Sequence, residues 1–121
     1  MRTMDVKTAL VIGGAGYLGS HVADALAARN VAVTTLDCTP LDARHMPHRH
    51  MVGDMRDPDT LATAIKGVDV VYHFAGVADI DEAQTRPMDT IELNILATMR
   101  IAEACLQHHV KRFVYASTVY V

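Results

Sequence analysis

The stretch Val11-Ile12-Gly13-Gly14-Ala15-Gly16-Tyr17-Leu18-Gly19-Ser20 is a glycine-rich turn between a short apolar run and a helical pattern. Gly14, Gly16 and Gly19 fit the spacing G-x-G-x-x-G, and Gly13, Gly16 and Gly19 fit the looser G-x-x-G-x-x-G. Glycine lets a backbone turn tightly out of a strand, approach a phosphate and pack a helix close to a sheet. The helix that follows directs unpaired N–H groups at an anion. The turn therefore predicts phosphate binding, although a purely structural turn stays open from this stretch alone.

Strand-like and helix-like apolar segments alternate along the rest of the chain, which is typical of βαβ units and a parallel sheet. An acid followed by proline, Asp57-Pro58, is a favourable start for the second helix. We predict one three-layer α/β domain over residues 1–121, with strand order 3-2-1-4-5 and a sheet that stops after its fifth strand. The predicted strands are 7–12, 31–36, 50–52, 68–74 and 111–117, and the predicted helices are 17–29, 57–67 and 87–109.

The apolar residues of the predicted helix 87–109 are not confined to one stripe. One side carries Ile91, Ile95, Ala102 and Cys105, and the others carry Leu93, Leu96, Met99 and Leu106. One face should pack on the sheet. The remainder could contact a partner subunit, which would make a homodimer through this helix, or a missing part of the same chain.

Composition and charge exclude several classes of function. The 121 residues carry a net charge of -3, which provides no basic surface for nucleic acid or an anionic membrane. No apolar run approaches the ~20 residues that a membrane span needs. The two cysteines, Cys38 and Cys105, are isolated and suggest a reducing compartment, so we expect a cytoplasmic protein.

An acidic residue at the end of the second predicted strand makes the glycine turn more specific. Asp37 lies eighteen positions after Gly19, so the chain reads strand, glycine turn, helix, strand, acid. That order is typical of dinucleotide binding, because a carboxylate there accepts both ribose hydroxyls of the adenosine half and repels a 2′-phosphate. Since Cys38 follows Asp37 and not an arginine, we favour NAD over NADP. The alternative is that Asp37 only starts a turn.

Four segments, in order, resemble the N-terminal Rossmann portion of the extended short-chain dehydrogenase/reductases, the NAD-dependent epimerase/dehydratase family. They are the glycine turn, Gly53-Asp54-Met55-Arg56-Asp57, His73-Phe74-Ala75-Gly76 and Asn94-Ile95-Leu96-Ala97-Thr98. Ile12 stands where the family usually has threonine, and Ala97 stands where it usually has glycine. The cofactor-binding residues that the resemblance implies are Gly13, Gly16, Tyr17, Leu18, Gly19, Asp37, Asp54, Met55, Phe74, Ala75, Gly76 and Asn94.

The residue chemistry agrees with these implied roles. Asp54 could accept hydrogen bonds from an adenine amino group, and Met55 could offer backbone contacts and a polarizable surface. Ala75 and Gly76 are small where a backbone must pass close to a ligand. The alternatives are an Asx turn at Asp54 and tight packing at Ala75 and Gly76.

The resemblance extends to the end of the fifth strand, where it implies a catalytic hydroxyl. In that register Thr118 occupies the catalytic position, Ser117 precedes it, and Tyr120 is not the catalytic tyrosine. The Tyr-x-x-x-Lys pair that supplies acid/base chemistry in the family does not occur in this sequence. We therefore expect a fragment that binds the cofactor without turning it over.

The resemblance also implies a reaction for the parent protein. A hydroxyl of a nucleotide-sugar substrate would be oxidised transiently, with the hydride stored on the nicotinamide. Some galactose epimerase relatives carry a lysine two positions after the His-Phe-Ala-Gly segment, where Ala78 stands here, so that substrate is doubtful. A second hypothesis is a non-catalytic module that senses NAD(H) or mediates association through the long helix.

The histidines raise a metal hypothesis that we disfavour. His45, His48 and His50 crowd one loop, but no cysteine is near and the spacing is not that of helix-borne ligands. A solvated loop without metal is the preferred interpretation. His73, in a predicted buried strand, is expected to be a hydrogen-bonded core histidine.

Overall fold

Short runs of apolar and β-branched residues form the strands of the sheet. The computed structural model describes residues 4–42 and 46–117. All neighbouring strands are parallel, and the order is β3-β2-β1-β4-β5, as predicted. The strands are β1 Thr8–Ile12, β2 Ala32–Asp37, β3 Arg49–Val52, β4 Val70–His73 and β5 Arg112–Tyr115.

Helices connect the strands and cover both faces of the sheet. Asp57 caps the second helix as predicted: its carboxylate accepts from the backbone N–H of Thr60 at 3.0 Å, and Pro58 is the first helical residue. The helices are α1 Tyr17–Ala27, α2 Pro58–Ile65, α3 Ile80–Thr85, α4 Pro87–Ile91 and α5 Ala97–Gln107, with a π-helical segment Glu92–Leu96 between α4 and α5. In the part of the chain that the structure describes, no helix is long and apolar enough to cross a membrane.

The alternation of side chains along the strands divides the core into two layers. Leu10 and Ile12 belong to a large buried cluster with residues of α2 and α5. Val11, between them, packs on the other face with Val33 and with Ala23 of α1. Because successive strand residues point to opposite faces, one buried strand supplies both cores. The predicted three-layer arrangement is confirmed.

The long helical region differs from the prediction in its segments and in which apolar residues share a side. The prediction of one helix over 87–109 is wrong in detail, since the path divides into α4, the π segment and α5, and ends at Gln107. The side that packs on the core consists of Leu93, Ala97, Ile101, Ala104 and Cys105. Ile91 and Ile95, predicted to share a face with Cys105, are exposed.

The π segment explains this error. In an α-helix, residues four apart drift around the axis by about 40° per step, so Leu93 and Cys105 would not share a face. A π turn contains an additional residue and corrects the drift. Apolar spacing read at the α-helical period therefore grouped Ile91 and Ile95 with Cys105, whereas in the structure Leu93 shares the buried side with Cys105.

The carboxylate of Asp69 links neighbouring segments at the amino ends of the strands, far from the glycine turn. Asp69 precedes β4 and accepts from the backbone N–H groups of Lys7 at 2.9 Å and Thr8 at 3.2 Å. The ammonium of Lys111 lies 3.0 Å from the other oxygen. The backbone bond from Lys7, with the cation of Lys111, lowers the pKa of Asp69 to about 2.

Candidate functional site

The carboxyl ends of β1, β2 and β4 open into a cleft with a volume of about 430 Å³, called here the carboxyl-end cleft. Backbone hydrogen bonds continue past the strand ends: the N–H of Gly13 donates to Leu36 O at 2.8 Å and that of Phe74 to Ile12 O at 2.9 Å. These bonds fix the loops that line the cleft. The lining comprises Ile12, Gly13, Gly16, Leu36, Asp37, Cys38, Gly53, Asp54, Met55, Arg56, Phe74, Ala75, Gly76, Arg86 and Leu93.

Packing inside the protein explains two of the glycines in the turn. Gly13 has φ +87°, and a Cβ there would lie 2.6 Å from the backbone nitrogen of Ala75. A Cβ at Gly19 would lie 2.1 Å from the carbonyl oxygen of Gly13. Both positions require glycine whether or not a ligand binds.

Gly16 differs from these two glycines. Its φ of -76° suits any residue, and the nearest atom to a built Cβ is the carbonyl oxygen of Gly13 at 3.3 Å. Gly16 is the N-cap of α1 and lines the cleft, and it provides no side chain to cap the free N–H groups of the first helical turn. Its missing side chain leaves space in the cleft, where an anion can approach the helix end.

The two residues after Gly16 do not line the cleft. Tyr17 is 85% exposed and packs its ring edge against His21, with centroids 4.7 Å apart. Leu18 is 50% exposed. Through their position in the first turn of α1, they can contribute backbone N–H groups.

Asp37 joins the glycine turn to the loop after β2. Its Oδ2 accepts from the N–H of Ala15 at 3.0 Å, and its Oδ1 accepts from the N–H of Thr39 at 2.9 Å. Asp37 therefore starts a turn, and this role does not exclude ligand binding. Each carboxylate oxygen accepts more than one hydrogen bond, so the carboxylate can also receive hydroxyl groups in the cleft.

Asp54 lines the cleft and is engaged by the residue two positions on. Nη2 of Arg56 lies 2.7 Å from Asp54 Oδ2, and Nε lies 3.0 Å from both carboxylate oxygens. The N–H of Arg56 donates to Oδ1 at 2.8 Å, which closes the Asx turn given above as the alternative role of Asp54. These bonds lower the pKa of Asp54, the Arg56 side chain having the largest effect, so it is a carboxylate at neutral pH. No role was expected for Arg56.

Met55 lies between the cleft and the main core. Its side chain is buried against Leu61 and the face of α5. The expected polarizable surface is therefore largely directed inward, and the backbone is the part of Met55 that remains for ligand contact.

The loop after β4 is fastened to the π segment by Asn94. The Asn94 amide accepts from the N–H of Val77 and donates to its carbonyl oxygen, both at 2.8 Å. A Cβ at Gly76, where φ is +154°, would lie 2.6 Å from Asn94 Oδ1. Asn94 thus positions Ala75 and Gly76 at the cleft from behind, and does not line the cleft itself.

His73 is a hydrogen-bonded core histidine, as predicted. It is 1% exposed, and its Nε2 lies 2.9 Å from Oγ1 of Thr98. The Thr98 hydroxyl donates its proton to the carbonyl oxygen of Asn94, so His73 must donate from Nε2. Nδ1 is then unprotonated and has no hydrogen-bond partner within the described part of the chain. Burial lowers the pKa of His73 to about 4.

A second cavity, of about 570 Å³, lies at the opposite, amino ends of β1 and β2. Ligands of parallel α/β sheets bind at the carboxyl ends, so the carboxyl-end cleft is the candidate site despite its smaller volume. His48 borders the second cavity with a side chain only 3% exposed, so the expectation of a solvated histidine loop is wrong at this residue.

The other described histidine of that loop, His50, forms hydrogen bonds within the protein. His50 lies 2.7 Å from Thr35 Oγ1 and 3.0 Å from the carbonyl oxygen of Thr39. His45 lies outside the described residues. Within residues 4–42 and 46–117, no group of three metal-ligating side chains is found.

The expected catalytic hydroxyl, Thr118, and Tyr120 lie outside the described residues. The N–H of Ala116 donates to the carbonyl oxygen of His73 at 3.2 Å, so the ladder between β4 and β5 continues to the carboxyl edge. Ser117 follows at that edge and is exposed.

Comparison with known proteins agrees with the fold. The family model for the NAD dependent epimerase/dehydratase family matches residues 9–121. A UDP-glucose 4-epimerase of Halalkalibacterium halodurans is 35% identical over 115 residues, which cover 90% of this chain and 34% of the relative. An uncharacterized membrane protein of Methanocaldococcus jannaschii is 30% identical over 120 residues, covering 93% and 36%. The solved structure of MoeE5 in complex with UDP-glucose and NAD superimposes with a TM-score of 0.85 and 32% identity, covering 94% of this chain and 37% of that one.

The sheet order, the glycine turn and the acid at the end of β2 define a Rossmann-type domain. The chain belongs to the NAD dependent epimerase/dehydratase family. It spans about a third of the length of the relatives that it matches.

Proposed function

We propose that the chain binds a nicotinamide dinucleotide across the carboxyl-end cleft, with NAD preferred to NADP. One observation carries the proposal: Gly16 leaves the start of α1 open in the cleft where Asp37 is held by the N–H groups of Ala15 and Thr39. An open helix N-terminus suits a pyrophosphate, and a fixed carboxylate suits a ribose diol. The same carboxylate repels a 2′-phosphate.

The remaining cleft residues divide between the two ends of the dinucleotide. The first turn of α1, with Gly13, Gly16, Tyr17, Leu18 and Gly19, would hold the pyrophosphate. Asp54 and the backbone of Met55 would contact the adenine. Phe74, Ala75 and Gly76, held from behind by Asn94, would lie along the nicotinamide half. When bound, the nicotinamide supplies a hydride acceptor.

For the whole protein we propose transient oxidation of a hydroxyl on a nucleotide sugar, with Thr118 as a catalytic hydroxyl. The names of the Halalkalibacterium halodurans relative and of the MoeE5 complex, both concerned with UDP-sugars, support that class of substrate. The sequence in hand has no Tyr-x-x-x-Lys, so by itself it should bind the cofactor without turnover. The gene sequence after Val121 tests this proposal: a following Tyr-x-x-x-Lys is expected, and a stop codon would favour a module that senses NAD(H).

The binding proposal is tested by thermal unfolding with increasing NAD or NADP. A ligand that binds only the folded chain at 100 times its Kd adds about 2.7 kcal/mol of stability. For a chain of this size the midpoint should rise by roughly 10 °C with NAD. No shift at millimolar NAD would refute the proposal, and a larger shift with NADP would refute the role given to Asp37. Asp37→Asn removes the charge at nearly constant volume. It should reduce the difference between the midpoint shifts that NAD and NADP produce.

An exposed apolar surface on the long helical region supports a second proposal, that two copies of the chain associate there. The exposed side chains are Met88, Ile91, Ile95, Leu96, Met99 and Leu106. Such a surface is typical of a protein contact. Light scattering after gel filtration should show a dimer, and Met99→Glu should reduce it to a monomer. A monomeric parent chain would refute this proposal.

The cytoplasmic location also remains a proposal, based on the two free cysteines.

A further inference from the structure

The guanidinium of Arg56 forms a hydrogen-bonded ion pair with the carboxylate of Asp54, at the end of the carboxyl-end cleft proposed to bind adenine. Nη2 and Nε form a two-pronged contact at 2.7 and 3.0 Å, and the backbone N–H of Arg56 adds a bond to Oδ1 at 2.8 Å. Both side chains remain partly exposed. Solvent alone would leave the Asp54 side chain free to rotate, whereas this fork fixes the plane of its carboxylate.

The carboxylate of Glu92, from a different element, lies near the other terminal nitrogen of the Arg56 guanidinium. Nη1 of Arg56 lies 3.7 Å from Oε2 of Glu92. Glu92 opens the π segment that also carries Asn94. Arg56 therefore connects the loop after β3 to the helical region that supports the loop after β4.

The fork leaves Asp54 a restricted capacity for further bonds. A carboxylate has about four lone-pair directions, and Arg56 directs three hydrogens at it, from the backbone N–H, Nε and Nη2, with the single Nε hydrogen shared between both oxygens. One direction is left for a donor in the cleft. A donor is what a 6-amino purine presents, whereas a 6-oxo purine presents a carbonyl oxygen that a carboxylate repels.

We propose that Arg56 is a positioning residue that fixes Asp54 so that its remaining lone pair selects a 6-amino purine over a 6-oxo purine. This inference rests on the proposed dinucleotide function and names the part of the ligand that the pair reads. If Arg56 instead competed with the base for Asp54, removal of the Arg56 side chain would tighten NAD binding.

The test compares Kd values for NAD and for nicotinamide hypoxanthine dinucleotide, which carries an oxygen in place of the adenine amino group. The parent chain should bind NAD more tightly. Arg56→Met should weaken NAD binding by about tenfold, the value of one charge-assisted hydrogen bond, and change binding of the hypoxanthine dinucleotide by less than about twofold. Arg56→Lys, which keeps the charge but not the fork, should recover part of the preference.

Lys111→Met is the matched control, because it removes a cation of equal charge from the pair with Asp69 at the other end of the sheet. It should leave both Kd values unchanged. Circular dichroism shows whether each variant is folded, and Arg56→Lys keeps the test decisive if Arg56→Met does not fold. Equal losses for both dinucleotides, or tighter NAD binding by Arg56→Met, would overturn the positioning role while leaving dinucleotide binding intact. Failure of the parent chain to bind either dinucleotide would overturn the proposed function, and the positioning role with it.

Discussion

Replacing Gly16 by alanine should weaken NAD binding in a chain that still folds. The backbone at Gly16, with φ -76° and ψ 171°, is one that alanine adopts without strain. The built Cβ meets only the carbonyl oxygen of Gly13, at 3.3 Å. On the proposed function, the added methyl group would occupy the space through which the pyrophosphate would reach the first turn of α1.

The cost to folding is small because two effects oppose each other. Alanine is a poorer N-cap residue than glycine, by roughly 0.5–1 kcal/mol. It also reduces the conformational freedom of the unfolded chain, which is worth about 0.4–1 kcal/mol in the other direction. The unfolding midpoint should therefore move by less than about 5 °C. Loss of one or two charge-assisted bonds to the pyrophosphate should weaken NAD binding by roughly tenfold to a hundredfold.

Gly19→Ala is the matched control, since it makes the same chemical change three residues later. Its Cβ would lie 2.1 Å from the carbonyl oxygen of Gly13, so the backbone of the turn must move. Overpacking of this kind costs about 1–3 kcal/mol, which lowers the midpoint by roughly 5–15 °C. Gly19→Ala should thus lose stability, whereas Gly16→Ala should lose affinity.

Differential scanning fluorimetry and isothermal titration calorimetry with NAD measure the two quantities separately. If Gly16→Ala retains the NAD affinity of the parent chain within about twofold, the pyrophosphate does not pass Gly16 and the assignment is refuted. If Gly16→Ala unfolds as readily as Gly19→Ala, the separation of folding glycines from a binding glycine is wrong.

Two further predictions concern pH and thiol reactivity. Because the pKa of His73 is about 4 in the folded chain and about 6.5 in the unfolded chain, unfolding takes up a proton between these values. The stabilisation that neutral His73 gives the folded chain is fully present above pH 6.5. As the pH falls to 4, the free energy of unfolding decreases by up to about 3 kcal/mol. The free energy of unfolding, measured with urea, should fall less between pH 6.5 and 4 in His73→Gln than in the parent chain. An equal fall in the two proteins would contradict this prediction. Cys38 is exposed at the cleft, whereas burial raises the pKa of Cys105 to about 11. Ellman's reagent at pH 8 should therefore modify Cys38 alone, and NAD should slow the reaction; modification of both thiols at one rate would count against it.

The sheet could be predicted from sequence because its signals are local. Strands such as 31–36 are short runs of β-branched residues, and their alternation with helical patterns determines the parallel order. The cap at Asp57 could be predicted for the same reason. The short helix α3 was missed, although Asp79 followed by Glu82 carries a capping signal: the Asp79 carboxylate accepts from the N–H of Asp81 at 2.8 Å.

The errors concern features that depend on packing between distant segments. The π segment changes which residues of the long helical region face the core, and nothing in the apolar spacing reveals it. Arg56 lies within a family-like segment, but the sequence predicts no role for it, because its contact with Asp54 depends on the backbone path of the loop. The burial of His48 and Met55 likewise depends on which elements come together around them.

The cleft carboxylate at Asp37 is ordered before any ligand arrives. Backbone donors from both flanking loops already hold its two oxygens, so its rotamer freedom is lost when the chain folds and not when a ribose binds. Immobilising a side chain on binding costs roughly 0.5–1.5 kcal/mol, and this preorganised group avoids that cost. On the proposed function, selection at the ribose would therefore operate by rigid complementarity. A dinucleotide should meet the same carboxylate geometry in the free protein as in the complex.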